Sequence, residues 1–316
     1  MSARYRVGVD IGGTKIDAVV LADNGAVLQR VRHATGFGEA AVVSSAIEAI
    51  TEVVERAGIR LQDVATIGVG IPGAVDSTLG VVSHARNLGV EHLDLAARLT
   101  AAFGVPVRVE NDVNAAAIGA FHLLELPPTA SMSYLNLGTG LAAGLVLHGE
   151  LWRGARGAAG EIGHILVDPG GPLDLDGQPG GLEVMASGSG IARQWGTGES
   201  NSVTAVLDAA DAGDERALAI RARLYAGVAA SVRILVLTMD VDLVVIGGGI
   251  SRLGDRLLDG VTGLFDAWSE QSPFIASLQL GDRVRLLPDG AEVASLGAAH
   301  LGELVPAPVS TPEVVA

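Results

Sequence analysis

Val7-Gly8-Val9-Asp10-Ile11-Gly12-Gly13-Thr14-Lys15, running on into the apolar stretch 16–21, reads as strand, glycine turn, strand. Tyr134-Leu135-Asn136-Leu137-Gly138-Thr139-Gly140, ahead of the apolar stretch 141–147, reads the same way. Where a strand reaches such a turn, the missing Cβ atoms let backbone N–H groups approach an anion. Two turns of this kind imply a phosphate clamp split between two similar lobes, and so a nucleotide-dependent phosphotransferase with its cleft between them. The bland alternative is that both hairpins need glycine only to turn tightly, and the rest of the chain decides between the two.

Outward from the turns, strand-like and helix-like stretches alternate. Strands are expected near 5–9, 16–21, 64–70, 107–109, 132–137, 142–147, 243–246 and 284–287, and helices near 39–57, 112–124, 214–239 and 253–271. That order predicts an α/β protein. Leu126-Pro127-Pro128-Thr129 cannot continue the helix before it and is the expected hinge. The loop 168–181, rich in Gly, Pro and Asp, is too long for a plain connector, which marks it as functional or formerly functional. The tail 305–316 carries three prolines and no helical period, so a frayed end is expected. Internal similarity is confined to the two strand-turn-strand units, and a duplication remains a hypothesis.

The 316 residues are 49% hydrophobic and 18% charged, a globular composition with room for two domains. Thirty-six acidic against 21 basic residues give a net charge of −15, which opposes sequence-independent binding to nucleic acid or an anionic membrane. The absence of cysteine excludes disulfides and thiolate metal sites and is compatible with a reducing cytosol. No signal-peptide core precedes the strand that meets Asp10, and Asp240 and Asp242 interrupt the apolar stretch 234–246. A soluble, cytoplasmic protein is expected.

Three further stretches carry chemistry. Gly68-Val69-Gly70-Ile71-Pro72-Gly73 has the spacing of a dinucleotide fingerprint, but Pro72-Gly73-Ala74-Val75-Asp76-Ser77 reads as a turn where that fingerprint needs a helix. Asp10 to Lys15 is no P-loop either, since its glycines are too close and no Ser or Thr follows the lysine. Glu110-Asn111-Asp112-Val113-Asn114 lies at a strand-to-helix junction. Asp112 there reads either as an N-cap or as a carboxylate that takes a hydroxyl proton during phosphoryl transfer, with Asn111 and Asn114 as alternative caps. Gly154-Ala155-Arg156-Gly157-Ala158-Ala159-Gly160-Glu161-Ile162-Gly163-His164 sets small residues before a Glu and a His, and Glu183 follows. A polyhydroxyl ligand needs paired donors and acceptors of this kind, whereas a lone His is more often structural.

Taken together, these residues resemble the ROK family of bacterial sugar kinases and sugar-responsive repressors. The resemblance runs from Asp10-Ile11-Gly12-Gly13-Thr14-Lys15 through Glu110-Asn111-Asp112, Leu137-Gly138-Thr139-Gly140 and Gly160-Glu161-Ile162-Gly163-His164. Val245-Ile246-Gly247-Gly248-Gly249-Ile250-Ser251 is similar to the family's adenosine-contacting motif, and Ser295-Leu296-Gly297-Ala298-Ala299 to its closing helix. The resemblance implies an actin/hexokinase-type ATPase fold with two α/β lobes around a central cleft. Residues 1–124 with 291–316 would form the small lobe and 125–290 the large one.

The resemblance further implies that Asp112 is the general base for the sugar 6-hydroxyl. Gly73, Asn87, Asn111, Glu161, His164 and Glu183 would contact the sugar. Asp10 would orient Mg²⁺ and phosphate, with Gly12, Gly13, Thr14, Lys15, Gly138, Thr139 and Gly140 at the phosphates and Gly248 and Gly249 at the adenosine. ATP and Mg²⁺ are the implied cofactors, and a homodimer or homotetramer the expected assembly.

One departure stands out. The family commonly follows Gly-Glu-x-Gly-His with cysteines that bind structural zinc together with the histidine, and Asp174, Asp176 and Gly181 occupy those places here. Four-coordinate structural zinc favours thiolates and one ligand is missing, so no structural zinc is expected. Turns and hydrogen bonds from Asp174 and Asp176 should hold the loop instead, leaving His164 to the sugar. The expected activity is ATP-dependent hexose 6-phosphorylation, most simply of glucose. An amino sugar, N-acetylhexosamine, mannose or fructose as acceptor, or polyphosphate as donor, are the alternatives within the fold. A sugar-sensing repressor is the alternative of another class, disfavoured because the first phosphate strand begins by Tyr5, leaving no room for a DNA-reading segment, and because the chain is acidic.

Overall fold

In the computed structural model, which describes residues 5–196 and 202–303, the stretches flanking the first glycine turn form β1 (Tyr5–Ile11) and β2 (Lys15–Leu21). They pair antiparallel from Arg6 opposite Leu21 to Ile11 opposite Ile16. β3 (Val27–Ala34) extends the sheet beyond β2, and α1 (Glu39–Arg56) lays Val42, Ala46, Ala49, Ile50 and Val53 against it, a helical spacing of one face. β4 (Val64–Ile71) then pairs parallel with β1.

The stretch 72–77, expected to be a turn, turns only at Pro72-Gly73. Ala74–Asp76 extends as β5, which pairs with β6 (Val81–Ala85), and β6 in turn with β7 (Val90–Asp94), making a separate three-stranded sheet. Gly73 sits at φ +105 against the Ser83 carbonyl and Ala85, a conformation and a space that only glycine fits. No helix opens at these glycines, so the dinucleotide geometry is absent. After α2 (Leu95–Phe103), β8 (Val107–Asn111) pairs parallel with β4, and the first sheet reads β3-β2-β1-β4-β8.

α3 (Asp112–Leu123) leads onward. β9 (Met132–Leu137), β10 (Leu141–Leu147) and β11 (Glu150–Trp152) form the second antiparallel meander. α4 (Leu182–Ala186), α5 (Gly188–Trp195), α6 (Ser202–Asp211) and α7 (Glu215–Met239) follow. β12 (Leu243–Gly247) returns parallel to β9, and after α8 (Asp255–Gln271) and α9 (Pro273–Ser277), β13 (Val284–Leu286) closes the order β11-β10-β9-β12-β13. The two five-stranded sheets therefore share one connectivity: three antiparallel strands, then two added parallel on the far side of the first. The internal similarity read at the hairpins extends across both whole sheets.

By length and composition α7 is apolar enough to cross a membrane, but Ile220, Leu224, Val228, Val232 and Leu235 recur along one side and join the core of the second sheet. Pro127-Pro128, the expected hinge, forms a turn closed by Ala130 N–H on the Pro127 carbonyl at 2.8 Å.

The chain divides into two units, Met1–Ala115 with Ala294–Ala316, and Ala116–Val293. α10 (Val293–His300) brings the C-terminal part to the first sheet. It meets the sheet where Gly8 and Gly68 lie side by side on β1 and β4. A Cβ on Gly8 would run into the Ser295 carbonyl, and one on Gly68 into that of Ala298, so two adjacent glycines let the helix backbone rest on the strands. The tail 305–316, expected to fray, lies outside the described residues.

Candidate functional site

In the first unit, β1, β4 and β8 run parallel, and their carboxyl ends set Asp10, Gly70 and Glu110 in one row, with Ile71 opposite Asn111 in the next. The carboxyl ends of parallel strands are where α/β sheets bind ligands. Val9 and Ile11 are fully buried, so strand alternation turns Asp10 to the other face. A Cβ on Gly70 would stand 3.9 Å from Asp10 Oδ1 and 3.6 Å from the Cα of Asp112. The nearest atom to it would be the Ala115 methyl at 3.1 Å, so the bare Gly70 lets the start of α3 pack close to the strand beside Asp10.

Capping of α3 falls to Asn111. Its Oδ1 accepts from Val113 N at 2.9 Å and Asn114 N at 3.3 Å, the second and third helical residues. Asp112 occupies the first helical position, and its Oδ1 accepts from Val113 N at 3.0 Å. The helix start therefore does not depend on the Asp112 carboxylate as its cap. Glu110, only 3% exposed, accepts from Asn111 N and from Asn114 Nδ2, both at 3.0 Å, and fixes the junction from beneath. Asn111 Nδ2 donates to the Gly73 carbonyl at 3.4 Å, so Gly73, Asn111 and Asp112 come together. Asn87 lies beside the first glycine turn instead, where a Cβ on Gly13 would be 3.3 Å from its Nδ2.

At the first turn most backbone polar groups are paired within the protein. Thr35 Oγ1 donates to the Gly12 carbonyl at 2.7 Å, Thr35 N donates to the Thr14 carbonyl at 3.1 Å, and Gly12 N donates to the Lys15 carbonyl at 2.9 Å. The N–H groups of Gly13 and Thr14 take no protein acceptor among the described residues. With carbonyls tied back and two successive N–H groups left over, the turn has the donor set of an anion cradle. The Lys15 ammonium is engaged with the buried Asp17 carboxylate at 2.9 Å, which Arg32 also holds.

The second turn repeats the pattern. Gly138 N donates to the Gly140 carbonyl at 3.0 Å, while Gly188 N and Ser189 N donate to the carbonyls of Gly138 and Thr139 at 2.8 and 3.1 Å. The N–H groups of Thr139 and Gly140 take no protein acceptor among the described residues. Gly188 and Ser189 are presented because Ser187 caps α5, its Oγ accepting from Gly190 N at 3.0 Å. Gly248, at φ +84, follows β12 and packs against Leu137 and Asn136, so it and Gly249 adjoin this turn.

Beside the turn stands the Glu–His motif. Gly160, at φ +92, presses onto β10, where Ala143 N donates to its carbonyl at 2.8 Å. A tight 3-10 turn over Ile162–His164 follows, pinned by the buried Ile162. Residues three apart eclipse in such a turn, so Glu161 and His164 share one exposed side. Glu183, also exposed, comes from the first turn of α4, and its Oε2 accepts from Leu141 N at 3.0 Å.

The loop without cysteines is held by Asp168 and Asp174 rather than by Asp174 and Asp176. Asp174 Oδ1 accepts from Asp176 N and Gln178 N at 2.9 and 2.8 Å, and Asp168 Oδ1 accepts from Gly170 N at 3.0 Å, while Asp176 contributes its backbone N–H. Among the described residues, no three His, Asp or Glu side chains come together in a group able to hold a metal ion.

Sequence reading missed Thr35, Gly188 and Ser189. Ser187-Gly188-Ser189-Gly190 carries the serine of a helix start, a local signal that was there to use. Thr35 carries none, because only the β2–β3 register, Lys15 opposite Ala34, brings it to the turn.

Comparison with known proteins gives the family and the fold. The description "ROK family" matches residues 6–301. A glucokinase of Halalkalibacterium halodurans is 32% identical over 288 residues, 85% of this chain and 87% of that one. Among solved structures, a ROK hexokinase from Thermus thermophilus superimposes with a TM-score of 0.77 at 32% identity, covering 93% of this chain and 96% of that one. A ROK family glucokinase from Streptomyces griseus in complex with glucose and AMPPNP gives 0.73 at 30% identity, covering 95% and 99%.

Proposed function

The chain belongs to the ROK family, as a glucokinase-like sugar kinase with the actin/hexokinase-type fold, and from that premise we propose that it transfers the γ-phosphate of ATP to the 6-hydroxyl of glucose or a close analogue. The observation that carries the reading is the matched pair of turns, each with two carbonyls bound back by a later segment and two successive N–H groups left for an anion. Phosphoryl transfer asks for positioning and charge neutralisation, with one proton acceptor and no covalent nucleophile. Asp112, at the first position of the helix that Asn111 caps, accepts the 6-hydroxyl proton as that oxygen bonds to phosphorus and ADP leaves. Asn111, Gly73 and Asn87 from the first unit and Glu161, His164 and Glu183 from the second supply the sugar contacts. Asp10, at the carboxyl end of β1, suits Mg²⁺ bound with the nucleotide, which would neutralise phosphate charge there. Gly12 to Lys15 and Gly138 to Gly140 serve the phosphates, and Gly248 and Gly249 the adenosine.

The proposal makes turnover depend on the sugar and the donor supplied. Initial rates for glucose, mannose, fructose, glucosamine and N-acetylhexosamines, each with ATP and with polyphosphate, test it. Turnover of glucose with ATP supports it, and a clear preference for another pair moves the acceptor or donor while leaving the fold and base in place. No turnover with any pair removes the kinase assignment. A mobility-shift assay at low salt examines the sugar-sensing regulator, which the net charge of −15 opposes. We further assign the enzyme to the cytoplasm as a homodimer or homotetramer, which sedimentation of the purified chain measures.

A further inference from the structure

The sugar motif and the second phosphate turn meet at one peptide group. Leu141 is the first residue of β10, directly after Gly138-Thr139-Gly140. Its N–H donates to Glu183 Oε2 at 3.0 Å, and its carbonyl lies against Gly163, where any Cβ would run into it. A Cβ on Gly140 would stand only 2.7 Å from the same Glu183 oxygen, so the carboxylate is seated on the turn itself. Gly163 belongs to the turn that presents Glu161 and His164, and a Cβ on it would be 3.2 Å from the Cβ of Glu183. Two and three residues beyond α4, the same segment sends Gly188 and Ser189 N–H to the carbonyls of Gly138 and Thr139.

Resting on the sugar-kinase reading, we infer that Glu183 is a positioning residue of the phosphate turn, through which sugar occupancy sets nucleotide affinity. Glu183 is exposed, and one of its oxygens holds Leu141. A sugar hydroxyl donating to this carboxylate fixes its rotamer, and the fixed carboxylate holds the Leu141 amide and with it the orientation of the Thr139 and Gly140 N–H groups. The coupling is reciprocal, since whatever sugar does for nucleotide affinity nucleotide does for sugar. A residue that only bound sugar would change sugar affinity and leave that coupling factor alone.

The test combines AMPPNP titration, with and without saturating glucose, and amide hydrogen exchange over 136–145, in the parent chain, Glu183→Ala and Glu183→Gln. In the parent, glucose is expected to tighten AMPPNP about fivefold or more and to slow exchange over the turn. Glu183→Ala should exchange faster at Leu141 with no ligand present, and at saturating glucose its AMPPNP affinity should change by less than about twofold. Glu183→Gln keeps a side-chain carbonyl for the Leu141 N–H, so it should restore the ligand-free exchange and part of the coupling. A parent-sized coupling in Glu183→Ala, or unchanged exchange at its Leu141, would overturn the inference. Failure of the kinase reading looks different: the parent itself then binds no sugar, and the coupling falls with it.

Discussion

At the first glycine turn both carbonyl-binding donors come from a single residue, Thr35, just past the neighbouring strand β3. At the second, the donors come from Gly188 and Ser189, about fifty residues further on, in the segment that also carries Glu183. Sheet order, hairpin register and the pair of leftover N–H groups are the same in both. What differs is the support, and the difference teaches that two turns of the same geometry can be held either by their own sheet or by a helical segment distant in the chain. The first turn takes its support from the residue that follows its neighbouring strand, and the second from the segment that carries Glu183. A further asymmetry is chemical, since the proposed base, Asp112, stands at the end of the first sheet.

The largest expected effect breaks that chemical symmetry. Asp112→Asn should lower kcat by about 10²–10⁴-fold while sugar still binds, whereas Glu161→Gln in the second unit should raise the KM for sugar more than it lowers kcat. Steady-state kinetics with a direct sugar titration would show it, and undiminished turnover in Asp112→Asn would remove the base.

Next in size is Gly68→Val, which wedges a side chain between β4 and α10. It should cost about 1–3 kcal/mol or more and melt the first unit before the second, seen as a split transition in calorimetry. The second sheet has Val245 opposite Tyr134 where the first has Gly68 opposite Gly8, when positions are counted back from each turn, so no glycine seam is expected there.

Thr35→Val and Ser187→Ala sharpen the contrast between the supports. Thr35→Val removes one hydroxyl hydrogen bond and Ser187→Ala two, with Gly190 N and Ser189 Oγ, each worth about 1 kcal/mol, or about fivefold in affinity. Thr35→Val should weaken ATP and spare sugar, while Ser187→Ala should weaken both. Equal effects on sugar would erase the distinction. The smallest effect belongs to Asp174→Ala, which loosens a loop turn far along the chain from either glycine turn. A loss of about 1 kcal/mol or less in thermal stability, with sugar KM within about twofold of the parent, is expected.

Much of this was legible before any coordinates. Both hairpins, the exclusion of a dinucleotide fold at Pro72-Gly73, and the strand-to-helix junction at Asn111-Asp112 follow from local rules of backbone conformation and capping. The short strands of the three-stranded sheet and β11 were missed because three to five residues give too little alternation to detect. Asp112 read as the cap with Asn111 and Asn114 as alternatives, and only the placed side chains gave the role to Asn111. Asp176, expected to hold its loop by its side chain, gives only a backbone donor to Asp174.

By itself the sequence determined where the backbone must lack Cβ atoms, where the two glycine hairpins and the longest helices lie, and which ionisable groups exist to do chemistry, because each of these is decided by a few neighbouring residues. Tertiary structure alone decided that Thr35 binds back one turn, that Glu183 and Gly163 grip either side of Leu141, and that Gly8 and Gly68 make one seat for α10. These contacts join residues tens to hundreds of positions apart, and a one-dimensional pattern holds no record of which distant strands lie side by side.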